Sequence, residues 1–308
     1  TAATGVTVTA SVGTVTGTSI TGVPSGTDVT ITASLAGCDT LMVVVPSALC
    51  PACGTLVLKV LLEGAYDVAT GLMTTFFNDF HILPGQDPMQ SSNPGAQFLG
   101  EAAPLGQPYN VAPWNYAGTE GNNYGDESIN PGVSAYPSTV TDWVLVSLRE
   151  GGLFAANTVW KCAALLNSDG TVEFPAECDC IDFDDAATYY VVIEHRNHMA
   201  VMSNATSSAT LQTMMDFTMN DSWKLGIGSP QEVTQKLMMD GVFVMYAANG
   251  RQDVTRTDVV SADNTIWLND NSQIFKYLYG DHNLNADVNS ADRTMWLNNV
   301  SFFNLINF

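Results

Sequence analysis

Thirteen residues near the end of the chain are written twice. Asp258–Asp270 reads DVVSADNTIWLND, and Asp287–Asn299 reads DVNSADRTMWLNN, at an offset of 29 with nine of the thirteen positions identical. Chance is a poor explanation for such a match, which marks an internal repeat. In each copy Ser-Ala-Asp precedes Ile-Trp-Leu or Met-Trp-Leu, which predicts a helix start followed by an apolar helix face.

The stretch leading into the second helix carries chemistry. From Asp281 to Asp292, oxygen side chains fall at positions one (Asp281), three (Asn283), five (Asn285), seven (Asp287), nine (Asn289) and twelve (Asp292). This is the order of an EF-hand type of calcium loop, with Asp for the final Glu. Calcium takes six to eight hard oxygens, and alternate positions of a sharply turning loop can face inward. Position six, usually Gly, is Ala286. The bland alternative is an Asx-rich turn without an ion. The first copy has Gln252, Val254 and Arg256 at positions one, three and five, leaving only Asp253, Asp258 and Asp263 as weaker candidates. It is expected to keep the helix-pair shape without the metal.

Ahead of the repeat the pattern is that of strands. Residues 1–37 are Thr, Val, Ser and Gly with almost no charge, and Val6–Thr9 and Val29–Thr32 alternate with period two. Leu41–Val45 and Leu56–Leu62 read as buried strands by length and β-branching. Trp143–Arg149 and Tyr189–Glu194 continue the series, and Thr158–Leu166 with Asn167-Ser168-Asp169-Gly170 and Thr171–Phe174 predicts a hairpin. The expected domains are a β segment at 1–55, a β-sandwich at 56–203, a Met-rich connector at 204–245 and the repeat pair at 246–308. The sandwich is interrupted by 83–139, an aperiodic stretch rich in Pro, Gly, Asn and Gln. Its Tyr109, Trp114, Tyr116, Tyr124 and Tyr136 are either a cover packed onto the sheet or a contact surface.

Charge and cysteines narrow the function. The net charge of −21 comes from 10 Lys+Arg against 31 Asp+Glu, which excludes the basic footprint of a nucleic-acid binder and of an anionic-lipid binder. No run of about 18 apolar residues suggests membrane insertion. The six cysteines, Cys38, Cys50, Cys53, Cys162, Cys178 and Cys180, are even in number and clustered, which points to disulfides and an oxidising compartment. A four-cysteine zinc site from Cys50, Cys53, Cys178 and Cys180 is the rival, with a spacing too tight in the second pair. The start at Thr1 suggests a processed chain from which a signal peptide has been removed. No HExxH, phosphate loop or GxSxG elbow is present, and no enzyme is expected. His195-Arg196-Asn197-His198 reads as a hydrogen-bonded strand end, with metal binding as the sharper alternative. Sequons at Asn204, Asn220 and Asn299 are expected at the surface.

The tail, through Gly280–Asp292 and its partner repeat, resembles a degenerate dockerin type I module, which implies paired calcium loops and docking through both repeats. Leu62–Asp67, Gly71–Met73, Gly106–Tyr109, Ala112–Tyr116, Asp142–Arg149 and His195–His198 resemble a C-terminal module of large secreted, multidomain surface proteins of Gram-negative environmental bacteria. The start is similar to the trailing strands of an Ig-like repeat. These resemblances imply a mainly β fold: an Ig-like or jelly-roll-like β-sandwich, a partial Ig-like segment before it and a small helical calcium-binding tail. They imply secretion to the cell surface or matrix. Residues 1–55 are too few for a closed sandwich of about 100 residues, so an open edge is expected to exchange strands with copies of the same chain. A filament or matrix subunit is the expected function. An adhesin or carbohydrate-binding module, contacting glycans or proteins through 83–139, is the alternative.

Overall fold

The computed structural model describes residues 6–16, 19–21, 28–36, 40–45, 54–178, 181–219, 222–251 and 256–308. The chain forms two compact units: Thr1–Gly54 with Cys180–Phe183, and Thr55–Asp179 with Asp184–Phe308.

In the first unit the alternating Thr/Val segments form β1 (Thr7–Ala10), β2 (Thr14–Thr16), β3 (Ser19–Thr21), β4 (Val29–Ser34) and β5 (Leu41–Val45). β2 and β3 pair as a hairpin, and the rest make an antiparallel sheet in the order β1-β4-β5. Period two shows in the burial of β1, which alternates, whereas β4 is half-buried along most of its length. β5 does not alternate, and it corrects the expectation of a buried strand. Leu41, Met42, Val43 and Val44 are 64%, 64%, 48% and 59% exposed. Neighbours in a strand point to opposite faces, so both faces of this apolar strand are bare.

The second unit is organised by β9 (Val140–Glu150), whose first ten residues are all buried. Around it lie β10 (Thr158–Asn167), β11 (Val172–Glu173), β12 (Tyr189–His195) and β13 (His198–Met202), in the antiparallel order β11-β10-β9-β12-β13. The β10–β11 hairpin turns at Gly170, where φ is +88°, a conformation that glycine adopts without strain. A sandwich would set a second sheet of similar size over this one. Among the described residues of this unit the other ladders have two strands each: β6 (Val57–Lys59) with β14 (Met214–Asp216), β7 (Tyr66–Asp67) with β8 (Leu72–Met73), and β15 (Lys236–Leu237) with β16 (Phe243–Val244). The rest of this unit is irregular chain and five short helices. The helices are α1 (Phe76–Asp79), α2 (Pro94–Leu99), α3 (Ser208–Leu211), α4 (Ser261–Asp270) and α5 (Ser290–Asn299), of which α1 packs on β9.

The stretch 83–139 covers part of the sheet. Trp143 of β9 meets Tyr124 and Tyr136 at ring-centroid distances of 6.3 and 6.2 Å, and its Nε1–H donates to the Tyr136 hydroxyl at 3.0 Å. Tyr136 in turn donates to the Pro84 carbonyl at 2.8 Å.

The tail and the presumed connector are also built into this unit. β14 adds in parallel to β6, and Met245 bridges Leu62. Glu63 is buried where three segments meet: it pairs with Lys236 and accepts from Ala247 N–H at 2.9 Å and from Asn299 Nδ2 at 2.6 Å. Residues 204–245 lack a period because their backbone bonds go to several separate segments, such as Phe217 N–H to Lys59 O, Trp223 N–H to Met202 O and Val233 N–H to Phe303 O, rather than to one regular ladder. Asn299 is fully buried in this contact, which corrects its expected place at the surface, whereas Asn204 is exposed. Asn220 lies outside the described residues. Met214 and Met239 are exposed at 50% and 96% and do not fill a core.

Candidate functional site

The sequence repeat becomes a reciprocal structure. Trp267 of α4 donates its Nε1–H to the carbonyl of Asn289, the residue before α5, at 2.7 Å. Trp296 of α5 donates to the carbonyl of Val260, the residue before α4, at 2.8 Å. The backbone repeats the exchange. Ser272 N–H donates to Val288 O and Ser301 N–H to Val259 O; Val288 N–H donates to Gln273 O and Val259 N–H to Phe302 O. Phe275 N–H to Ala286 O has its counterpart in Asn304 N–H to Thr257 O, both at 2.7 Å. Every partner is shifted by the same 29 residues, so the copies are related by an approximate twofold. Both helices end alike, with Ser272 at φ +70° and Ser301 at φ +84°.

Within that frame the second loop is a tight, Asx-rich turn. Asp281 is fully buried, and its carboxylate accepts from Asn285 N–H at 3.1 Å and Ala286 N–H at 2.8 Å. Asn283 Oδ1 accepts from Asn285 N–H, and Asn285 Oδ1 accepts from Asp287 N–H. Asn289 caps α5 through Ala291 N–H at 2.7 Å and donates to Asp287 Oδ2 at 3.0 Å. Asp292, also fully buried, accepts from His282 N–H at 2.7 Å, Asn283 N–H at 3.2 Å and Asn289 N–H at 2.9 Å. Leu284 and Ala286 adopt left-handed φ of +54° and +68°. Ala286 thus takes the conformation for which EF-hand loops use Gly at position six.

Electrostatics favours a cation here. Burial, then the neighbouring Asp292 charge, pushes the Asp281 carboxyl up to about 7, and burial raises Asp292. Two buried carboxylates repel one another unless a proton or a metal relieves them. The donor set of hard oxygens in alternate positions fits calcium. The three carboxylates are not drawn into one tight trio, however. Among the described residues, the His/Cys/Asp/Glu group whose ligand atoms all lie within 4.8 Å of one another is Glu120, Cys162 and Cys178. The loop oxygens are instead held open by N–H groups.

The first loop differs in its side chains. Asp263 accepts from Arg251 N–H at 2.8 Å and Val260 N–H at 2.7 Å, matching the role of Asp292, and burial pushes it up to about 6. Asp258 pairs with Arg251 at 3.4 Å. Arg256, at position five, reaches Glu194 of β12 at 2.8 Å. Arg251 thus balances a loop carboxylate, and Arg256 turns outward from the loop to a carboxylate of the sheet. Asp253 lies outside the described residues.

The tail is fastened to the sheet by groups that sequence patterns do not single out. His195 and His198 flank the two-residue turn between β12 and β13, and all four residues of His195–His198 are buried. Asp142 of β9 accepts from His195 Nε2 and Arg196 Nε, both at 3.1 Å, and from the Tyr277 hydroxyl at 2.5 Å. Burial opposes its ionisation, but the Arg196 guanidinium, then His195 and Tyr277, hold its carboxyl down at about 2. Burial depresses His195 and, more strongly, His198. Arg196 lies 4.3 Å over the Tyr277 ring and bonds the Leu278 carbonyl. Asn197 Nδ2 donates to the Asp281 carbonyl at 2.6 Å. The His-x-x-His turn therefore grips the irregular segment that enters the second loop. The signal available in sequence was Asp142 beside the apolar run Trp143–Val146, a charge that needs partners if buried.

The five aromatic residues singled out in 83–139 pack inward, which corrects their reading as a contact surface, whereas Phe98 of the same stretch is 85% exposed. Tyr109, Trp114 and Tyr136 are buried, and Tyr116 and Tyr124 are half-buried. Tyr109 donates to Trp143 O at 2.7 Å, Trp114 Nε1 to Glu194 at 2.9 Å, and Tyr116 to Glu120 at 2.6 Å. Apolar rings with one polar tip are stable in a core when that tip finds an acceptor. Of the cysteines, Cys162 and Cys178 are joined as a disulfide, with Cα atoms 5.8 Å apart. Cys38, Cys50, Cys53 and Cys180 lie outside the described residues. Among the described residues, no helix is long and apolar enough to cross a membrane.

No protein family, curated protein or solved structure matches this chain.

Proposed function

We propose that this chain is a secreted structural protein, a subunit of an extracellular filament or matrix that associates through an open β edge and is stiffened by calcium in its tail. The observation that carries this reading is β5. It lies at the edge of the β1-β4-β5 sheet and exposes Leu41, Met42, Val43 and Val44 on both faces. An edge strand offers unpaired N–H and C=O groups, and proteins that remain monomeric blunt such edges with charge, Pro or a cover. β5 has none of the first two within its five residues. A strand from a second copy would complete the ladder and cover the apolar side chains. The Cys162–Cys178 disulfide and the scarcity of Lys and Arg suit a durable protein outside the cell.

Calcium supplies positive charge between buried carboxylates. Asp281, Asn283, Asn285, Asp287, Asn289 and Asp292 would hold it, and their loop is continuous with α5 and with the Asn197 contact to the sheet. The rigidity gained lies in the tail rather than at the edge.

The test is sedimentation velocity with negative-stain microscopy of the purified chain, in calcium and in chelator, beside M42K/V44K. Ordered polymers from the wild type that are lost in the double variant support edge association. A monodisperse wild-type monomer at every concentration tested would sink it. Calcium binding is read separately by titration calorimetry, with D281A expected to abolish it.

A further inference from the structure

The grouping of Glu120, Cys162 and Cys178 has a chemistry that neither the calcium loop nor the open edge uses. Cys162 sits mid-strand in β10 opposite Val146, fully buried, and Cys178 follows the β11 turn, half-buried. Glu120 comes from the long cover and is 4% exposed. One of its oxygens, Oε1, accepts from the Tyr116 hydroxyl at 2.6 Å. The other, Oε2, is buried without a hydrogen-bond partner among the described residues. One carboxylate oxygen and both sulfurs lie within 4.8 Å of one another.

A buried carboxylate oxygen without a donor is costly, and a neutral disulfide does little to relieve it. Gly118 shows how closely the group is held, since a Cβ there would come within 2.0 Å of Glu120 Oε2. The arrangement is explained if the two sulfurs have a second state in which they and the Glu120 carboxylate share a positive centre. Two thiolates and a carboxylate are a ligand set for zinc, not for calcium, because sulfur is a soft donor. Tetrahedral zinc with Zn–S of about 2.3 Å and Zn–O of about 2.1 Å spaces its ligand atoms roughly 3.3–3.8 Å apart, within the span observed here.

We propose that Glu120, Cys162 and Cys178 form a redox-gated metal site, closed by the disulfide when oxidised and binding one zinc-like divalent cation when reduced. A dithiol reductant attacks a sulfur of the disulfide, the half-buried Cys178 being the more accessible. The S–S bond breaks, two electrons and two protons pass to the cysteines, and the reductant leaves as its own disulfide. The cation then displaces the two thiol protons, forms two M–S bonds and one M–O bond to Glu120, and keeps a fourth position for water.

Cobalt(II), a spectroscopic stand-in for zinc, tests the site in the C38S/C50S/C53S/C180S background, where Cys162 and Cys178 are the remaining cysteines. After reduction and removal of the reductant, one equivalent should bind with thiolate-to-cobalt charge-transfer and tetrahedral d–d bands, whereas the oxidised protein should show neither. C162S should abolish the bands. E120Q should retain charge transfer but weaken affinity by about tenfold or more, since even outer-shell partners of a ligand are worth about that much. Absence of the bands in reduced protein overturns the proposal, whether circular dichroism shows the fold intact or shows it lost and not restored by cobalt. Equal affinity in E120Q overturns it as well, since Glu120 would then be no ligand.

Discussion

The two copies of the tail repeat share a backbone and differ in how they balance charge. In the first, Arg251 and Arg256 supply cations to Asp258 and Glu194. In the second, Asp281 and Asp292 are buried with no ion pair among the described residues. The first loop has become an anchor to the sheet, and the second has kept the pattern of an ion site. Nine identities in thirteen positions were enough to preserve the helix pair, because the reciprocal bonds use Trp indoles and backbone groups. The loop side chains were free to diverge.

The largest effect should come from breaking the anchor. Arg256→Ala leaves Glu194 fully buried and unpaired by guanidinium, and should lower stability by about 3–5 kcal/mol in urea denaturation. Asn285→Ala, the same position of the second copy, should cost less than about 1 kcal/mol in chelator. Equal losses would mean that Arg256 does not anchor the first loop.

The next contrast concerns the ion. D281A/D292A should remove the calcium-dependent rise in thermal stability, worth about 2.7 kcal/mol at a hundredfold excess over Kd. D263A should destabilise equally in calcium and in chelator. The pH dependence has a definite sign. Burial raises Asp281 from its ordinary value to about 7, so between about pH 4 and pH 7 the folded chain holds a proton that the unfolded chain has released. In chelator this group's contribution falls as pH rises through that window, and calcium should flatten the slope. A calcium response that survives in D281A/D292A would place the ion elsewhere.

Smaller effects probe the approximate twofold. Trp267→Phe and Trp296→Phe each remove one indole-to-carbonyl bond and should cost about 1 kcal/mol each beyond their packing change. A large disparity between them would show that the symmetry is of backbone only. Ahead of the helices, Val260 has no side-chain acceptor where Asn289 caps α5. Val260→Asn should gain, and Asn289→Val lose, about 1 kcal/mol. Smallest is Ala286→Gly, expected to gain about 0.5–1 kcal/mol by releasing the left-handed strain, provided the lost Cβ contacts are minor.

Much of the local structure was legible. Period two at Val6–Thr9 and Val29–Thr32, the Asp169-Gly170 turn and the Ser-Ala-Asp helix starts all depend on interactions between near neighbours, which a sequence displays directly. The order of oxygens in Asp281–Asp292 was legible for the same reason. The aromatic residues of 83–139 were open to two readings, because composition cannot say which side of a segment meets a sheet. The role of His195–His198 was hidden because its partners, Asp142, Tyr277 and Asp281, are distant in the chain.

The sequence by itself determined the elements that local rules govern: the alternating strands, the hairpin, the two repeated helices and the acidic loop between them. Tertiary structure decided what each element faces. It left Leu41–Val44 bare although their composition predicts burial, and it turned Tyr109 and Trp114 inward. It merged 204–245 and the repeat pair with the second unit through Glu63 and Asn299, and it brought Glu120 to Cys162 and Cys178. The physical reason is that secondary structure follows from neighbours within a few residues, whereas burial and ligand geometry follow from contacts between residues far apart in the chain.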